Sequence, residues 1–280
     1  MTVASITGGA DFRVGEVLSR AWRLCIGNIL FFLAVPFVIF IISFVGAMVF
    51  ALLFVFAGMG IGAAGMGPGS IALGVVGVAV AVIVVLALNV IGQGVLLLGA
   101  FQRLRGQTIR IGEAVQRVLN RFLPLVGVGL LYPLAVFITF AVSFAILSGI
   151  VSVVGGWAFV LFPLFCVPAA MLGVMWVVGT PVCLVEGFGP ITSLGRSAEL
   201  TKGYRWKIFG IFVLLMLVFV GGYLVQLVLG LASQLLAGLF GIVWSVVWTA
   251  YLYCTIIMTY HDLRVAKEGV DTEQIASVFD

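Results

Sequence analysis

Residues 205–230 read RWKIFGIFVLLMLVFVGGYLVQLVLG. Arg205, Trp206 and Lys207 stand before a run from Ile208 to Gly230 that contains no Asp, Glu, Lys, Arg or His. A helix that crosses the hydrocarbon of a bilayer needs about 20 apolar residues, and it must satisfy its backbone hydrogen bonds internally. This run is long enough, and Gln226 is its one strongly polar side chain. It predicts a membrane-spanning helix with basic residues and an aromatic anchor at one end.

Five further blocks have the same character: Ile26 to Phe56, Ile71 to Phe101, Phe122 to Val154, Trp157 to Val185, and about Gly238 to Tyr260. None carries an Asp, Glu, Lys or Arg in its interior. Several exceed what a bilayer needs, which predicts tilt or extension past the hydrocarbon. Of the 280 residues, 64% are hydrophobic and only 9% charged. Soluble domains carry roughly 25% charged residues, so this chain cannot cover a soluble surface. The first apolar run starts late and is long for the core of a secretory signal, so no cleaved signal is expected. The net charge of +4 comes without a basic stripe interleaved with exposed aromatics, and nucleic acid is not an expected partner.

The 14 Lys and Arg residues fall in four places. Arg13, Arg20 and Arg23 precede the first span; Arg103, Arg105, Arg110, Arg117 and Arg121 lie between the second and third. Arg196, Lys202, Arg205 and Lys207 lie between the fourth and fifth, and Arg264 and Lys267 follow the sixth. The other three connections, near Gly58–Gly69, Gly155–Gly156 and Gly230–Gln234, have none, and the 10 acidic residues share the basic side. Basic residues at span ends mark the cytoplasmic face. The expected fold is therefore an all-α membrane protein of six transmembrane helices, arranged as three hairpins with both termini cytoplasmic, in a bacterial inner membrane. Gly58–Gly69 reads as a flexible turn on the uncharged face.

The charged segments repeat. Phe12-Arg13-Val14-Gly15-Glu16-Val17-Leu18-Ser19-Arg20 parallels Ile109-Arg110-Ile111-Gly112-Glu113-Ala114-Val115-Gln116-Arg117, and at the same offset Pro36 falls on Pro133. A weaker copy runs from Ile191 to Arg196. A repeat defines the structural unit: here, an amphipathic helix followed by a hairpin, with units at about 11–101, 109–185 and 189–260. Together they form one membrane domain with a tail at 261–280. Val14, Val17, Leu18, Ala21, Trp22 and Cys25 follow helical spacing, as do Ile111, Ala114, Val115, Val118, Leu119 and Phe122. Glu16 with Arg20, and Glu113 with Arg117, are expected i, i+4 pairs. Gly189 and Pro190 open the third such helix, which is expected to end at Gly203. Helices of this kind lie in the headgroup plane, either as simple anchors or as a cytoplasmic ring that meets anionic lipid or a partner.

The segment Arg196-Ser197-Ala198-Glu199-Leu200-Thr201-Lys202-Gly203-Tyr204-Arg205-Trp206-Lys207-Ile208-Phe209-Gly210 resembles one found in a bacterial family of YciC-like inner-membrane proteins. That family includes the membrane domain fused to some glycerophosphodiester phosphodiesterases. The opening from Phe12 to Leu18 and the ending from Tyr260 to Asp271 are similar to the family's as well. The resemblance implies a membrane module without settled biochemical role. The phosphodiesterase activity belongs to a soluble barrel that nothing in this chain supplies.

Residues for chemistry are few. His261 is the lone histidine, and a metal site needs several converging ligands. Cys25, Cys166, Cys183 and Cys254 form no C-x-x-C and read as small apolar packing residues. No nucleophile–base pair or phosphate loop occurs, so the chain is expected to be neither an enzyme nor a holder of a metal or cofactor. Asn89 and Gln93, one turn apart in the second span, form an intramembrane polar patch. Its groups bond between helices or meet a substrate. Glu186 ends the fourth span and is expected to face Arg196, Lys202 and Arg205, either organising that loop or binding a headgroup. Arg20, Arg117, Glu186, Arg196, Lys202, Arg205 and Trp206 are the candidate lipid or partner contacts. Membrane lipids are the expected partners, with self-association or another membrane protein as further options. The expected function is a lipid-interacting or scaffolding module; the alternative is a transporter of a lipid or other apolar substrate. In the tail, a helix is expected to restart after Asp271 with Gln274 as a capping-box partner, and its stripe Ile275, Val278 and Phe279 is expected to dock on the bundle or bind a partner.

Overall fold

A computed structural model describes residues 12–64 and 68–269, with side chains between 50 and 86 described only in part. The expected tail features at Gln274, Ile275, Val278 and Phe279 lie outside the described residues. The described chain is helical throughout: α1 (Val14–Gly27), α2 (Ile29–Ala64), α3 (Pro68–Leu104), α4 (Ile111–Asn120), α5 (Phe122–Val154), a 3-10 turn (Gly156–Leu161), α6 (Phe162–Trp176), α7 (Gly179–Val185), α8 (Pro190–Thr201), α9 (Arg205–Ala232) and α10 (Gln234–Glu268). Six helical segments are long and apolar enough to cross a membrane: within α2, within α3, α5, the stretch from Gly156 to Val185, α9 and α10. The protein is thus a multi-pass membrane protein in outline.

Two spans differ from the sequence expectation. The fourth is broken at Val177–Val178, between α6 and α7. Pro181 has no N–H for the Val177 carbonyl and its ring crowds that carbonyl, so the break falls four residues before the proline. The Gly58–Gly69 stretch is not all turn: α2 continues as helix through Ala64 and α3 resumes at Pro68. In an apolar segment the backbone has no other source of hydrogen bonds, which outweighs the low helix propensity of glycine.

α2 packs against α3, α5 against α6, and α9 against α10. Most of the long helices expose Leu, Phe and Val on their outer faces, among them Leu30, Phe137 and Leu217, a surface suited to lipid and unsuited to water. The dense core sits instead at the charged end. There α3 is buried on every side from Val95 to Phe101, enclosed by α1, α2, α4, α5, α7 and α10. Val182 to Leu184 and Ile257 to Leu263 join it.

Three short helices cover this core. α1 lies on α10 and buries Val17, Ala21, Leu24 and Cys25, while Arg13, Glu16 and Arg23 face out. α4 buries Ala114 and Val118. α8 begins at the Gly189–Pro190 pair, lies on α5, α6 and α7, and buries Leu194, Ser197, Leu200 and Thr201. It ends at Thr201, and Gly203 follows with φ of +91°. At the end of α10, Gly269 adopts φ of +63° and its N–H closes on the Val265 carbonyl, a left-handed cap that favours glycine.

Candidate functional site

The charged end contains two populations of charge. The inward population is paired. Arg20 of α1 meets Asp262 of α10 at 2.7 Å, and Asp262 is only 8% exposed. The His261 Nδ1 lies 3.4 Å from the same carboxylate. Glu186, at the end of α7, accepts hydrogen bonds from the Tyr260 hydroxyl at 2.8 Å and from Arg196 Nε at 3.3 Å. Arg196 also reaches Glu268 through Nη2, and Arg264 donates to Glu268 at 3.0 Å. Lys267 donates to the Glu199 carbonyl, and Arg121 to the Gly187 carbonyl. Gly187 is left-handed, at φ of +80°, and a Cβ there would meet Arg121 Nη2 at 2.6 Å. These bonds bind the end of α10 to α1, α7 and α8, segments remote in sequence.

The outward population is unbalanced. Every described acidic residue, Glu16, Glu113, Glu186, Glu199, Asp262 and Glu268, sits in an ion pair within the protein. Among the described residues, Arg23, Arg103, Arg105, Arg117 and Lys202 have no acid within ion-pair distance, and all five are exposed. Arg105 lies over the Phe101 ring at 4.3 Å. Loss of solvent, and then the charges of Arg264 and Arg117, pull its guanidinium below the ordinary range. Trp22 and Trp206 stand exposed at the same end, and Trp157 on the opposite connection. Indole rings favour the headgroup level.

The expected site residues are therefore divided. Arg20, Glu186 and Arg196 are engaged inside the protein. Arg117, Lys202 and Trp206 are exposed, and Arg205 is half-buried with its Nε lacking a hydrogen-bond partner. Glu186 meets Arg196, as the sequence suggests, but not Lys202 or Arg205. Lys202 follows the end of α8 and Arg205 opens α9, and no ion pair joins either to Glu186. Glu113 pairs with Arg110 at 2.8 Å rather than with Arg117, because Arg110 caps the first turn and reaches its own third residue. Glu16 is 3.9 Å from Arg20, a longer contact than the one Arg20 makes with Asp262. Cys25 of α1 and Cys254 of α10, far apart in sequence, are both buried, and the neighbouring Cys254 thiol draws the Cys25 thiol below its usual range.

A separate polar locus lies in the membrane-spanning part. Asn89 and Gln93 of α3 line a cavity of about 300 Å3 shared with Pro36, Phe40 and Ser43 of α2 and Ser245, Thr249 and Tyr253 of α10. Asn89 donates to the Ser43 hydroxyl at 3.1 Å and to the Val85 carbonyl at 2.9 Å. Both expected partners of the patch are present, and the structure adds Ser245, Thr249 and Tyr253. Their spacing of four residues places them on one helix face, a signal legible in the sequence but diluted among apolar neighbours. Gly92 permits this approach: a Cβ there would collide with Ile39 of α2. Among the described residues no group of His, Cys, Asp and Glu is arranged to hold a metal ion. Comparison of the chain with protein-family models, curated proteins and solved structures finds no match in any of the three.

Proposed function

We propose that the protein is a non-enzymatic membrane module that engages anionic lipid headgroups at the cytoplasmic face of a bacterial inner membrane. In this reading α1, α4 and α8 are interfacial helices, each followed by a transmembrane hairpin, and both termini are cytoplasmic. A kinship with YciC-like membrane proteins fits the same plan. The observation that supports it is the charge imbalance: each described acid has a cationic partner within the chain, whereas Arg23, Arg103, Arg105, Arg117 and Lys202 are exposed with no acid at ion-pair distance, at the end that also exposes Trp22 and Trp206. Such a surface attracts anions, and an anionic leaflet is the anion nearest to it.

The test is thermal unfolding of the detergent-solubilised protein during titration with phosphatidylglycerol or phosphatidylcholine. Phosphatidylglycerol raises the midpoint and phosphatidylcholine does not. Each cation near an anionic surface contributes roughly 1 kcal/mol. The triple variant R103Q/R105Q/R117Q therefore weakens the effect by roughly 3 kcal/mol, on the order of 100-fold in lipid concentration. Equal responses to both lipids, or an unaltered response in the variant, refute the reading. The same surface would serve a protein partner, and recovery of a partner that survives the triple substitution would favour scaffolding through another face.

The cavity between α2, α3 and α10 favours a second reading, movement of a lipid or apolar compound. Transfer of labelled lipid between leaflets of reconstituted vesicles, lost on substitution of Asn89 and Gln93, would establish it in place of the passive module.

A further inference from the structure

The cavity sits deep in the spanning part. Thr249 lies thirteen residues before Asp262 on α10 (262 − 249), about 20 Å along the helix axis. Asn89 lies fifteen residues before Leu104 on α3 (104 − 89), about 22 Å along its axis. Both distances reach well into a hydrocarbon layer of about 30 Å. The volume of about 300 Å3 is at the lower end of the range for small-molecule sites.

Its lining has two chemical features. No Asp, Glu, Lys, Arg or His takes part, so a charged group would enter without a counter-charge, at a cost that excludes phosphate-bearing headgroups. It also presents uncommitted groups of both kinds. Ser245 and Thr249 spend their hydroxyl protons on the carbonyls of Ile242 and Ser245, and the Asn89 amide protons go to Ser43 and Val85. Among the described residues, Gln93 and Tyr253 have no hydrogen-bond partner, and the Asn89 carbonyl oxygen accepts no bond within the protein. Donors are thus available from Gln93 Nε2 and the Tyr253 hydroxyl, and acceptors from Gln93 Oε1 and Asn89 Oδ1. Polar groups left unmet in hydrocarbon are costly.

We propose that this cavity binds the head of an uncharged glycerolipid of the diacylglycerol type. Its free hydroxyl donates to an amide oxygen of Asn89 or Gln93, and its ester carbonyls accept from Gln93 and Tyr253. The acyl chains leave between the helices, because the cavity holds the glycerol region and not a whole lipid. A quinone head, with carbonyls alone, would satisfy the donors and leave the amide oxygens unmet. This inference does not rest on the headgroup reading: it concerns different residues, a different depth and a ligand of different charge.

The test uses the full chain in phosphatidylcholine vesicles containing a photoreactive diacylglycerol, with a photoreactive phosphatidylglycerol of the same chains in parallel. Crosslinks are located by mass spectrometry. Diacylglycerol should label peptides spanning residues 36–43, 89–93 or 245–253, and unlabelled diacylglycerol should compete at least tenfold better than an isoprenoid quinone. The double variant Q93L/Y253F should lower this labelling at least tenfold. Its thermal midpoint, measured alongside, must stay within a few degrees of the parent; where it does not, the smaller single change Y253F is read, with at least a threefold loss expected. Labelling of the same peptides by phosphatidylglycerol to an equal degree, better competition by the quinone, no labelling, or labelling unchanged in the variants each overturns the proposal. R103Q/R105Q/R117Q should leave the diacylglycerol labelling unchanged, which separates failure of this site from failure at the charged end.

Discussion

Removing the Arg20 guanidinium tests whether the charged end is held by a buried ion pair or merely decorated by a surface one. Arg20 and Asp262 meet at 2.7 Å, with side chains 22% and 8% exposed. In Arg20→Met the apolar stem remains to pack on α10, but the Asp262 carboxylate stays behind with only His261 nearby. An uncompensated buried charge costs about 3–5 kcal/mol, whereas loss of an exposed pair costs about 0–1 kcal/mol. Partial exposure of Arg20 puts the expected cost near the lower figure, about 3 kcal/mol. At roughly 2–4 °C per kcal/mol for a chain of this size class, the unfolding midpoint falls by about 6–12 °C. The assay is a double-mutant cycle, by thermal unfolding in a fixed detergent, of Arg20→Met, Asp262→Leu and the pair together. The double variant removes both charges, so it should be more stable than the sum of the two losses by about 2 kcal/mol. Additivity within about 0.5 kcal/mol, or a loss below 1 kcal/mol for Arg20→Met, would refute the reasoning.

Further outcomes follow from the same geometry. Gly187→Ala meets both a left-handed backbone at φ +80° and the Arg121 guanidinium, so it should lower stability by roughly 1–3 kcal/mol, and a midpoint within 1 °C of the parent would contradict this. Tyr260→Phe removes the 2.8 Å bond to Glu186 and should cost about 1.5–3 kcal/mol, as expected for a hydrogen bond to a charged group; an unchanged midpoint would show that the hydroxyl is not engaged. Phosphatidylglycerol binding should weaken as salt rises from 0.1 to 0.5 M, since exposed charges are screened, and salt-independent binding would point away from Arg117 and Lys202.

Much of the fold was legible in the sequence because membrane helices announce themselves locally. An uncharged run such as Ile208–Gly230 has few alternatives in a bilayer, and α9 covers it with a turn to spare. The stripes Val17-Ala21-Cys25 and Ala114-Val118 likewise name buried faces of α1 and α4. The break at Val177–Val178 was readable from Pro181, although the surrounding hydrophobicity masked it. The candidate site was less legible. Arg20, Arg196, Lys202 and Arg117 look alike as basic residues near span ends, yet two are paired inside the protein and two have no acid nearby. Nothing short of tertiary contact separates them.

The sequence alone determined six apolar segments, the gathering of every charge at the same set of connections, and an interior without Asp, Glu, Lys, Arg or His. Those properties depend on composition and short-range spacing, which a linear chain carries in full. Tertiary structure decided which cations are neutralised and which remain exposed. The Arg20–Asp262 pair joins residues 242 positions apart, and ion pairing depends on distances between helices that no spacing along the chain encodes. It also decided that Ser43, Asn89, Gln93, Ser245, Thr249 and Tyr253 surround a single cavity. Asn89 with Gln93 on α3, and Ser245 with Thr249 and Tyr253 on α10, are short polar stripes among apolar neighbours, and only the packing of α2, α3 and α10 turns them into a site.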